Sequence, residues 1–568
     1  MTRRRPCPRS GRLKGQRGAA LMIMMLIMVL GTSWAVVSAV TQASRNTVKS
    51  QIQTGESLRL AKNALLGYVA QQAMTLTNHV PGKFPCPEAT SSIGTGVEGT
   101  TTNSICNTLP AIGRLPWKTL GIDKPLDGSG EALWYVIGPG LRVAPINFST
   151  TGALTLDGTS NAAVALIIAP GAALNTLSNS GTAPSPCVKR DQSAGRNVAP
   201  LNASDYVECG NATLSAFVSS RNDTWGNDRV ISITATEMLS AIEGAVADRI
   251  QRVVAPILNG TSTSVTGWYQ PVSLSKWGVN FFPYASTWSD PTTNNSCGNY
   301  GVTEGLLPLA SGNVTVGTAC SARWISASAT SGSATFTPGS CIASTTLMSC
   351  TFTYSGSPVV SVTATAANIA MGFRTPPTAA VIAFNPTGPP GSSVTALTAS
   401  IVAASGNGQL TLQATMANRA SSGIGTINIP HPDDSILLST NTGSNSDLAW
   451  FINNQWQRYT YYAISTAVTA NPSGVCTSST VTDCLTLTNT EAGTGNINDK
   501  RLVLILSGRP LAGKTYPSVT LGDYFEAQNS TSGDRTFERG TISATFNDRP
   551  AVCPFQRLTT GTANVLCN

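Results

Sequence analysis

Charge is scarce in this chain: Asp, Glu, Lys and Arg together make up 11% of its 568 residues, against about 25% in an average soluble domain. So little charge excludes a charged, disordered polypeptide and argues against a cytosolic α/β enzyme. Aromatic residues are also few, at 6%, whereas glycine (52) and proline (33) are plentiful. This composition is typical of an exported β-rich protein, and the length allows three to five folded units at roughly 100–200 residues each.

Histidine is rarer still, with only His79 and His431 in the chain, and no CxxC pair is present. Zinc sites of the usual kind are therefore not expected. Without a Gly-x-Ser-x-Gly motif, few nucleophile–base pairs can form, so the sequence predicts no enzyme, no catalytic residue and no metal ligand. Asp433 and Asp434, close to His431, follow Pro430 and Pro432 and predict a turn. A glycosidase-type carboxylate pair stays open, since spacing alone does not exclude it.

Two short motifs suggest ligands but lack the context that these ligands need. Residues 508–515 (GRPLAGKT) match the phosphate-binding P-loop pattern, yet the following residues, YPSVT, predict no helix whose N-terminal amides could hold phosphate. Residues 127–131 (DGSGE) offer oxygen ligands for calcium, but their spacing is not that of an EF-hand and favours a tight turn. We therefore expect no cofactor, with calcium at 127–131 as the one open alternative.

The net charge of +8 has a local origin. Seven basic residues and no acidic residue lie in the N-terminal leader: Arg3, Arg4, Arg5, Arg9, Arg12, Lys14 and Arg17. Subtracting them leaves 8 − 7 = +1 for the other residues. A basic leader of this kind gives no support to a DNA-binding surface, and no nucleic-acid partner is expected.

An uncharged apolar segment of 21 residues, 19–39, follows the leader. As a helix it would be about 31 Å long, enough to cross a membrane. The basic residues before it predict a cytoplasmic N-terminus and an exported remainder. A signal peptide, whose apolar region has about 7–15 residues, and a plain single-pass anchor are the alternatives. A small-residue cleavage site at 37–39 would suit the first of these.

The cysteines also favour export. Besides Cys7 in the leader, an even set of twelve is spread through the remaining chain: Cys86, Cys106, Cys187, Cys209, Cys297, Cys320, Cys341, Cys350, Cys476, Cys484, Cys553 and Cys567. Such a set predicts disulfides in an oxidising compartment. The sequence does not fix their connectivity; neighbour pairing, 86–106, 187–209, 476–484 and 553–567, is the simplest hypothesis.

Helical character continues beyond the apolar segment. No proline occurs between Thr41 and Pro81, and four apolar residues fall on one helical face: Leu58, Ala61, Leu65 and Val69. The pattern predicts one helix over 19–75, about 85 Å long. Half of it would lie in the membrane and half would pack on a folded domain.

The sequence around the end of the leader, Gln16-Arg17-Gly18-Ala19-Ala20-Leu21, resembles the prepilin-type signal of type IV pilins and type II secretion pseudopilins. The resemblance implies cleavage by prepilin peptidase after Gly18 and methylation of Ala19, the new first residue. Ordinary pilins carry a glutamate at mature position five, where this chain has Ile23. The loss of that carboxylate resembles the tip pseudopilin of type II secretion. The resemblance covers about 25 residues.

The remaining chain repeats one order of landmarks twice. Residues 113–116 (GRLP) return as 305–308 (GLLP), 134–137 as 461–464, 154–156 as 485–487, and 164–168 as 502–506. The motif DYVE at 205–208 returns as DYFE at 523–526, and NDR at 227–229 returns at 547–549. So many landmarks in one order predict a duplicated module.

The second copy adds a helix start and an insertion. Thr234 and Glu237 form a capping-box pattern before apolar residues spaced three and four apart, which predicts a helix over about 237–257. Residues 311–424 are rich in Ser, Thr, Ala and Gly with alternating runs, which predicts an inserted all-β, sandwich-like domain stapled by Cys320, Cys341 and Cys350.

These patterns together predict an α+β protein with the following parts: leader 1–18, long N-terminal helix 19–75, pilin-like module one at 76–235, module two at 236–310 and 425–568, and the insert at 311–424. The resemblance implies a minor pilin or pseudopilin in the bacterial inner membrane, with its exported domains in the periplasm or at a pilus tip. Expected partners are other pilins, prepilin peptidase, the inner membrane, and an unknown surface ligand or secreted substrate. A stand-alone anchored binding protein and, less favoured, an anchored envelope hydrolase are the alternatives.

Overall fold

The computed structural model describes residues 17–255 apart from 77, 79, 197, 199, 200 and 222, and also 285, 288, 302–307, 449–465, 484–489 and 494–554. Between residues 323 and 430 it describes the backbone of strands. Helices and antiparallel sheets occur together, so the α+β prediction is confirmed at that level.

The longest element is the helix α1, Arg17–Met74, of 58 residues. It matches the continuous helix predicted over 19–75. On its C-terminal part, the predicted apolar face is buried: Leu58 is 7% exposed, and Ala61, Leu65 and Val69 are fully buried. This face packs on the first sheet and on the second long helix.

The first module contains a four-stranded antiparallel sheet in the order β1-β2-β5-β6. Its strands are β1 (Ala111–Arg114), β2 (Trp134–Ile137), β5 (Ala165–Ala169) and β6 (Arg229–Ile233). A hairpin of β3 (Leu154–Leu156) and β4 (Thr159–Ala163) leads into β5. All five residues of β5 are buried because the sheet is covered on both faces, by α1 on one side and by the loops up to residue 228 on the other.

The second long helix, α4, runs from Ala235 to Arg249 and continues as a π-turn, Ile250–Val254. Thr234 and Glu237 form the predicted capping box: the Thr234 side chain accepts from the Glu237 amide, and the Glu237 carboxylate accepts from the Thr234 amide. α4 lies beside α1 and joins it in one hydrophobic core with both sheets. The shorter helices are α2 (Gln192–Gly195), α3 (Cys209–Thr213), α5 (Ala449–Asn453) and α6 (Leu521–Tyr524).

The second module has a sheet in which β7, β17, β19 and β21 follow one another, all antiparallel. These strands are β7 (Glu304–Leu306), β17 (Thr460–Ile464), β19 (Thr494–Leu506) and β21 (Arg549–Pro554). The first part of β19 pairs with β18 (Leu485–Asn489), which also pairs in parallel with β20 (Thr536–Arg539). The strand order is that of the first module.

The strand registers match residue by residue. Cross-strand partners that occupy equivalent positions are Gly113–Tyr135–Ile167 in the first sheet and Gly305–Tyr462–Leu504 in the second. The parallel contact Leu156–Phe217 likewise corresponds to Leu487–Phe537. The register aligns residues 165–169 with 502–506, one residue later in the first copy than the sequence comparison placed them. The two copies therefore share a fold.

The inserted segment consists of strands in two antiparallel sheets, as expected for an all-β domain. One sheet has the order β12-β16-β10-β9, and the other has β13-β15-β11-β8 with β14 beside β15. The bounds are β8 (Arg323–Ala329), β9 (Thr335–Ala343), β10 (Leu347–Ser355), β11 (Val359–Ala367), β12 (Val381–Pro386), β13 (Val394–Thr395), β14 (Ala399–Ser405), β15 (Gln409–Asn418) and β16 (Ser422–Pro430). Because β16 pairs with β10 and β12, the insert reaches residue 430 and not 424.

Strand pairing in the insert predicts a disulfide. Cys341 in β9 lies directly opposite Cys350 in β10. Residues opposite each other in an antiparallel pair have Cα atoms about 4.5–5.5 Å apart, within the range that a disulfide spans. We expect peptide mapping without reduction to recover a Cys341–Cys350 cross-link. Recovery of either residue linked to Cys320 would contradict this pairing.

Candidate functional site

The N-terminal half of α1 is bare. Its large apolar side chains between residues 22 and 40 are 58–74% exposed and lie on every face of the helix. Residues 18–44 contain no charged residue and span about 40 Å as a helix. A helix that is apolar all round is stable only in lipid or among other helices. Among the described residues, α1 is the one helix long and apolar enough to cross a membrane.

The predicted processing residues lie at the start of this segment. Gly18 and Ala19 fall in the first turn of α1, which begins at Arg17. Ile23, in the same apolar segment, is 58% exposed. The helix thus presents an apolar side chain at this position, where a carboxylate would have to be paired or neutralised in lipid.

A loop of the first module forms hydrogen bonds with α1 at the point where the bare segment, the exposed N-terminal half of the helix, ends. Ser57 Oγ donates to the Leu126 carbonyl at 2.6 Å, and Gln53 Nε2 donates to the Asp127 carbonyl at 3.2 Å. In return, the Gly128 amide donates to Thr54 Oγ1 at 2.9 Å. We call the contacts of residues 126–128 with residues 50–57 the helix clasp. Its hydrogen bonds to α1 side chains fix the position, along the helix, of the head, by which we mean the two modules with the inserted domain.

The sequence prediction did not include the helix clasp, although the sequence of α1 contains a pattern that indicates it. Ser50, Gln53, Thr54 and Ser57 recur at spacings of three, one and three, so they form a polar stripe on α1 between the bare segment and the buried face. The sequence of the partner loop contains no such pattern, because Leu126 and Asp127 contribute backbone carbonyls, which every residue type has.

Asp127 itself closes a turn and does not form a calcium cage. Its Oδ1 accepts from the amides of Ser129 (2.8 Å) and Glu131 (2.9 Å), and its Oδ2 accepts from the Gly171 amide at 2.7 Å. Both oxygens of this buried carboxylate therefore serve backbone N–H groups. Among the described residues, no group of three or more His, Cys, Asp or Glu is arranged to hold a metal ion.

The P-loop-like segment is a plain loop, as its context predicted. No helix opens after Thr515; the next one, α6, begins at Leu521 and has four residues. Lys514 Nζ donates to the Gly522 carbonyl and lies 3.5 Å from Glu526 Oε1. The lysine that would bind phosphate is thus engaged within the protein.

A cavity of about 240 Å³ in the first module is lined by three glutamates, Glu88, Glu98 and Glu131. Hydrogen bonding to Lys124, 2.6 Å away, lowers the pKa of Glu98, and Glu131 pairs with Arg196 at 3.1 Å. Burial raises the pKa of Glu88, whose Oε1 accepts from the Gly99 amide. Because these carboxylates are engaged, the cavity gives little support to a hydrolase.

The repeated DYxE and NDR motifs meet in space. In the first module, the Glu208 amide donates to Asp228 Oδ2 at 2.8 Å, and Asn211 Nδ2 donates to the same oxygen at 3.0 Å. In the second, Asp548 Oδ2 accepts in the same way from the Glu526 amide (2.9 Å) and Asn529 Nδ2 (3.0 Å). Burial is the main cause that raises the pKa of Asp228 and Asp548, and the adjacent glutamate adds to it. The sequence comparison found both motifs but not their contact.

The two modules meet in a polar seam as well as in the apolar core. Asn454 Oδ1 accepts from the Ile146 amide at 2.9 Å, while Asn147 Nδ2 donates to the Asn454 carbonyl at 2.8 Å. Within the second module, Glu243 of α4 also accepts from Arg509 at 2.8 Å and from Arg549 at 3.1 Å. Buried polar groups paired across the seam fix one arrangement of the modules.

Two of the predicted disulfides are present: Cys86–Cys106 and Cys187–Cys209. Cys484 is also disulfide-bonded. Its expected partner Cys476 lies outside the described residues, as do Cys297, Cys320 and Cys567, and also His431, Asp433 and Asp434. The structure thus bears out the prediction that cysteines of this chain form disulfides.

Comparisons of the chain with protein-family models, with curated proteins and with solved structures find no match.

The helix clasp predicts a strong effect at Gly128. A Cβ atom there would lie 2.1 Å from the Ser50 carbonyl oxygen, so Gly128→Ala must push the loop off α1. We expect a loss of about 1–3 kcal/mol in the free energy of unfolding, measured by denaturant titration. Gly96→Ala, with nothing within 4 Å, is the control and should change stability little. An equal effect of both substitutions would contradict the role of the clasp.

Proposed function

We propose that this protein is a minor pilin- or pseudopilin-like envelope protein that assembles into a filament through the N-terminal half of α1. One observation supports the proposal above the others: a single helix carries a bare, charge-free segment and then packs one face on an antiparallel sheet. The bare segment rests in the inner membrane before assembly. It joins a bundle of pilin helices when a filament starts.

A position at the filament tip, or as its initiator, fits the head better than repeated packing in the shaft. The head holds two modules with a shared core and an inserted β domain, so it is bulky beside its single helix. Ile23 supplies no carboxylate to pair with a neighbouring subunit's amine. At a tip, no further subunit packs above the protein. Neither the bulk of the head nor the lack of a carboxylate at Ile23 then hinders assembly.

Processing at Gly18 tests assembly by the pilin route. We expect the mature protein to begin with N-methylated Ala19 in cells that have prepilin peptidase, and to keep its leader in cells without it. Intact-protein mass spectrometry reads both states. Gly18→Val should block processing, whereas Gly15→Ala, in the same leader, should leave it unchanged.

The other two outcomes point elsewhere. An intact leader in the presence of the peptidase would indicate a fixed anchor and favour a stand-alone binding protein in the inner membrane. A mature start near Val40 would indicate a secreted protein. Either result would overturn the pilin proposal.

We assign contact with a surface ligand or secreted substrate to the inserted domain, because the two modules pack on each other and on α1. Replacing residues 323–430 with a short Gly-Ser linker should leave processing and filament incorporation unchanged. We expect attachment to surfaces, or recovery of secreted substrate, to fall to the level of a strain lacking the protein. Unchanged attachment would show that the insert is a spacer.

A further inference from the structure

Each module buries a glutamate and an aspartate carboxyl group against each other. Glu208 and Asp228 are 8% and 1% exposed, and their equivalents Glu526 and Asp548 are 7% and 1% exposed. Two ionised carboxylates in contact, away from water, repel each other and lose hydration. The hydrogen bonds around each pair indicate how this repulsion is avoided.

In the first module, nearly every oxygen of the pair already has a donor. Glu208 Oε1 accepts from Gln192 Nε2 at 2.6 Å, and Glu208 Oε2 accepts from the amides of Asn227 (3.0 Å) and Asp228 (3.2 Å). Asp228 Oδ2 accepts from the Glu208 amide and from Asn211 Nδ2. The exception is Asp228 Oδ1, which is buried, accepts no hydrogen bond, and belongs to a side chain in hydrogen-bond contact with Glu208.

The second module reproduces this arrangement independently. Glu526 Oε2 accepts from the Asn547 amide at 3.1 Å, and Asp548 Oδ2 accepts from the Glu526 amide and Asn529 Nδ2. Asp548 Oδ1 is again the buried oxygen without a donor, and its side chain is again in hydrogen-bond contact with the glutamate. The same oxygen is therefore left over in both copies.

We propose that Asp228 Oδ1 and Asp548 Oδ1 each carry a proton at neutral pH and donate it to the adjacent glutamate, which makes both modules more stable in acid than in alkali. A proton there turns the one oxygen that lacks a partner into a donor and removes one of the two charges. Each proton holds a closing loop, residues 205–228 or 523–548, on its sheet.

A bound cation satisfies the pairs less well than a proton. Calcium takes six to eight oxygen ligands. In the first pair, the oxygens other than Asp228 Oδ1 already accept from N–H groups, so they have little capacity left for a metal ion. A proton needs one donor oxygen and one acceptor, and the pair supplies these.

The charged neighbours do not replace the proton. Near Glu208, the Arg196 guanidinium donates to Gln192 Oε1, Arg190 pairs with Asp205, and Arg221 pairs with Asp223. Near Glu526, Lys514 Nζ lies 3.5 Å from Oε1, burial raises the pKa of Tyr516 and keeps it neutral, and the Tyr524 hydroxyl accepts from the Ser518 amide at 3.0 Å. Arg509 and Arg549 are directed to Glu243.

The sign of the pH effect follows from proton binding. In the unfolded chain an aspartate has a pKa near 3.9, and burial beside a glutamate raises the pKa of Asp228 and Asp548 in the folded protein. The stabilisation is therefore complete below about pH 4 and is lost as the pH rises towards the folded pKa. In that pH window, the ratio of folded to unfolded protein falls about tenfold per pH unit for each pair.

The test compares the full-length protein in detergent with Asp228→Asn/Asp548→Asn. The amide nitrogen of each asparagine donates to the glutamate at every pH, and its oxygen keeps the two acceptor roles of Oδ2. The measurement is denaturant titration followed by tryptophan fluorescence between pH 5 and pH 7. The ratio of folded to unfolded wild-type protein should fall about 100-fold per pH unit relative to the variant, tenfold for each pair. Asp127→Asn is the control, since both Asp127 oxygens accept amide N–H groups and its replacement should destabilise the protein at every pH.

Infrared spectroscopy reads the protons directly and does not depend on the variants folding. With isotope-labelled aspartate, the wild-type protein at pH 7 should show the C=O stretch of protonated carboxyl groups. The absence of that band would overturn the proposal, as would equal pH dependence of wild type and variant. A stability gain on adding calcium alone at pH 7, lost in the variant, would overturn it in favour of a metal site.

Discussion

The structure depends on a single constraint: helix α1 has to satisfy two environments along one continuous rod. Its first half is apolar on every face, and its second half buries one stripe against a protein core. The transition is sharp, from exposed Val48 and Ile52 to buried Thr54 and Leu58. The helix clasp occupies this transition, where the rod changes from a lipid-type surface to a packed one. Its hydrogen bonds determine how far the helix protrudes.

The rest of the head is built on that anchored half. α4 lies against α1, and Lys62 of α1 pairs with Glu237 of α4 at 2.6 Å while also donating to the Ser232 carbonyl. Near its other end, Arg249 of α4 is buried, donates to the Leu76 and Asn78 carbonyls and lies over the Trp450 ring. The second module therefore attaches through α4 to the same rod, and the two modules share one core.

Sequence reasoning succeeded where a local pattern carries the information. The helix α1, the capping box at Thr234 and the duplicated strands follow from spacing and order, because each depends on neighbours in the chain. The end of the insert was placed six residues early, since β16 is polar and glycine-rich at its start and looks like a linker. The contact of Glu208 with Asp228 spans a loop of 20 residues, and the contact of Asn147 with Asn454 spans 307. No periodicity encodes such pairs.

Comparison of the two copies separates what the fold requires from what it tolerates. Arg114 and Leu306 occupy the same register position. In the first copy the Arg114 guanidinium lies over the Tyr206 ring; in the second, the Trp288 ring packs on Tyr524. This face of the sheet is thus covered by a cation–aromatic contact in the first copy and by an aromatic pair in the second.

The loop that closes each module shows no such freedom. In both, an asparagine side chain donates to the buried aspartate, whose other neighbour is a glutamate amide, and a glycine with positive φ, Gly171 or Gly508, lies against the asparagine before that aspartate. A Cβ at either glycine would lie within 3 Å of that asparagine. Apolar filling can change because dispersion contacts are non-directional, whereas a buried hydrogen-bond network fails when one member is lost. The closing network, more than the sheet face, therefore defines the module.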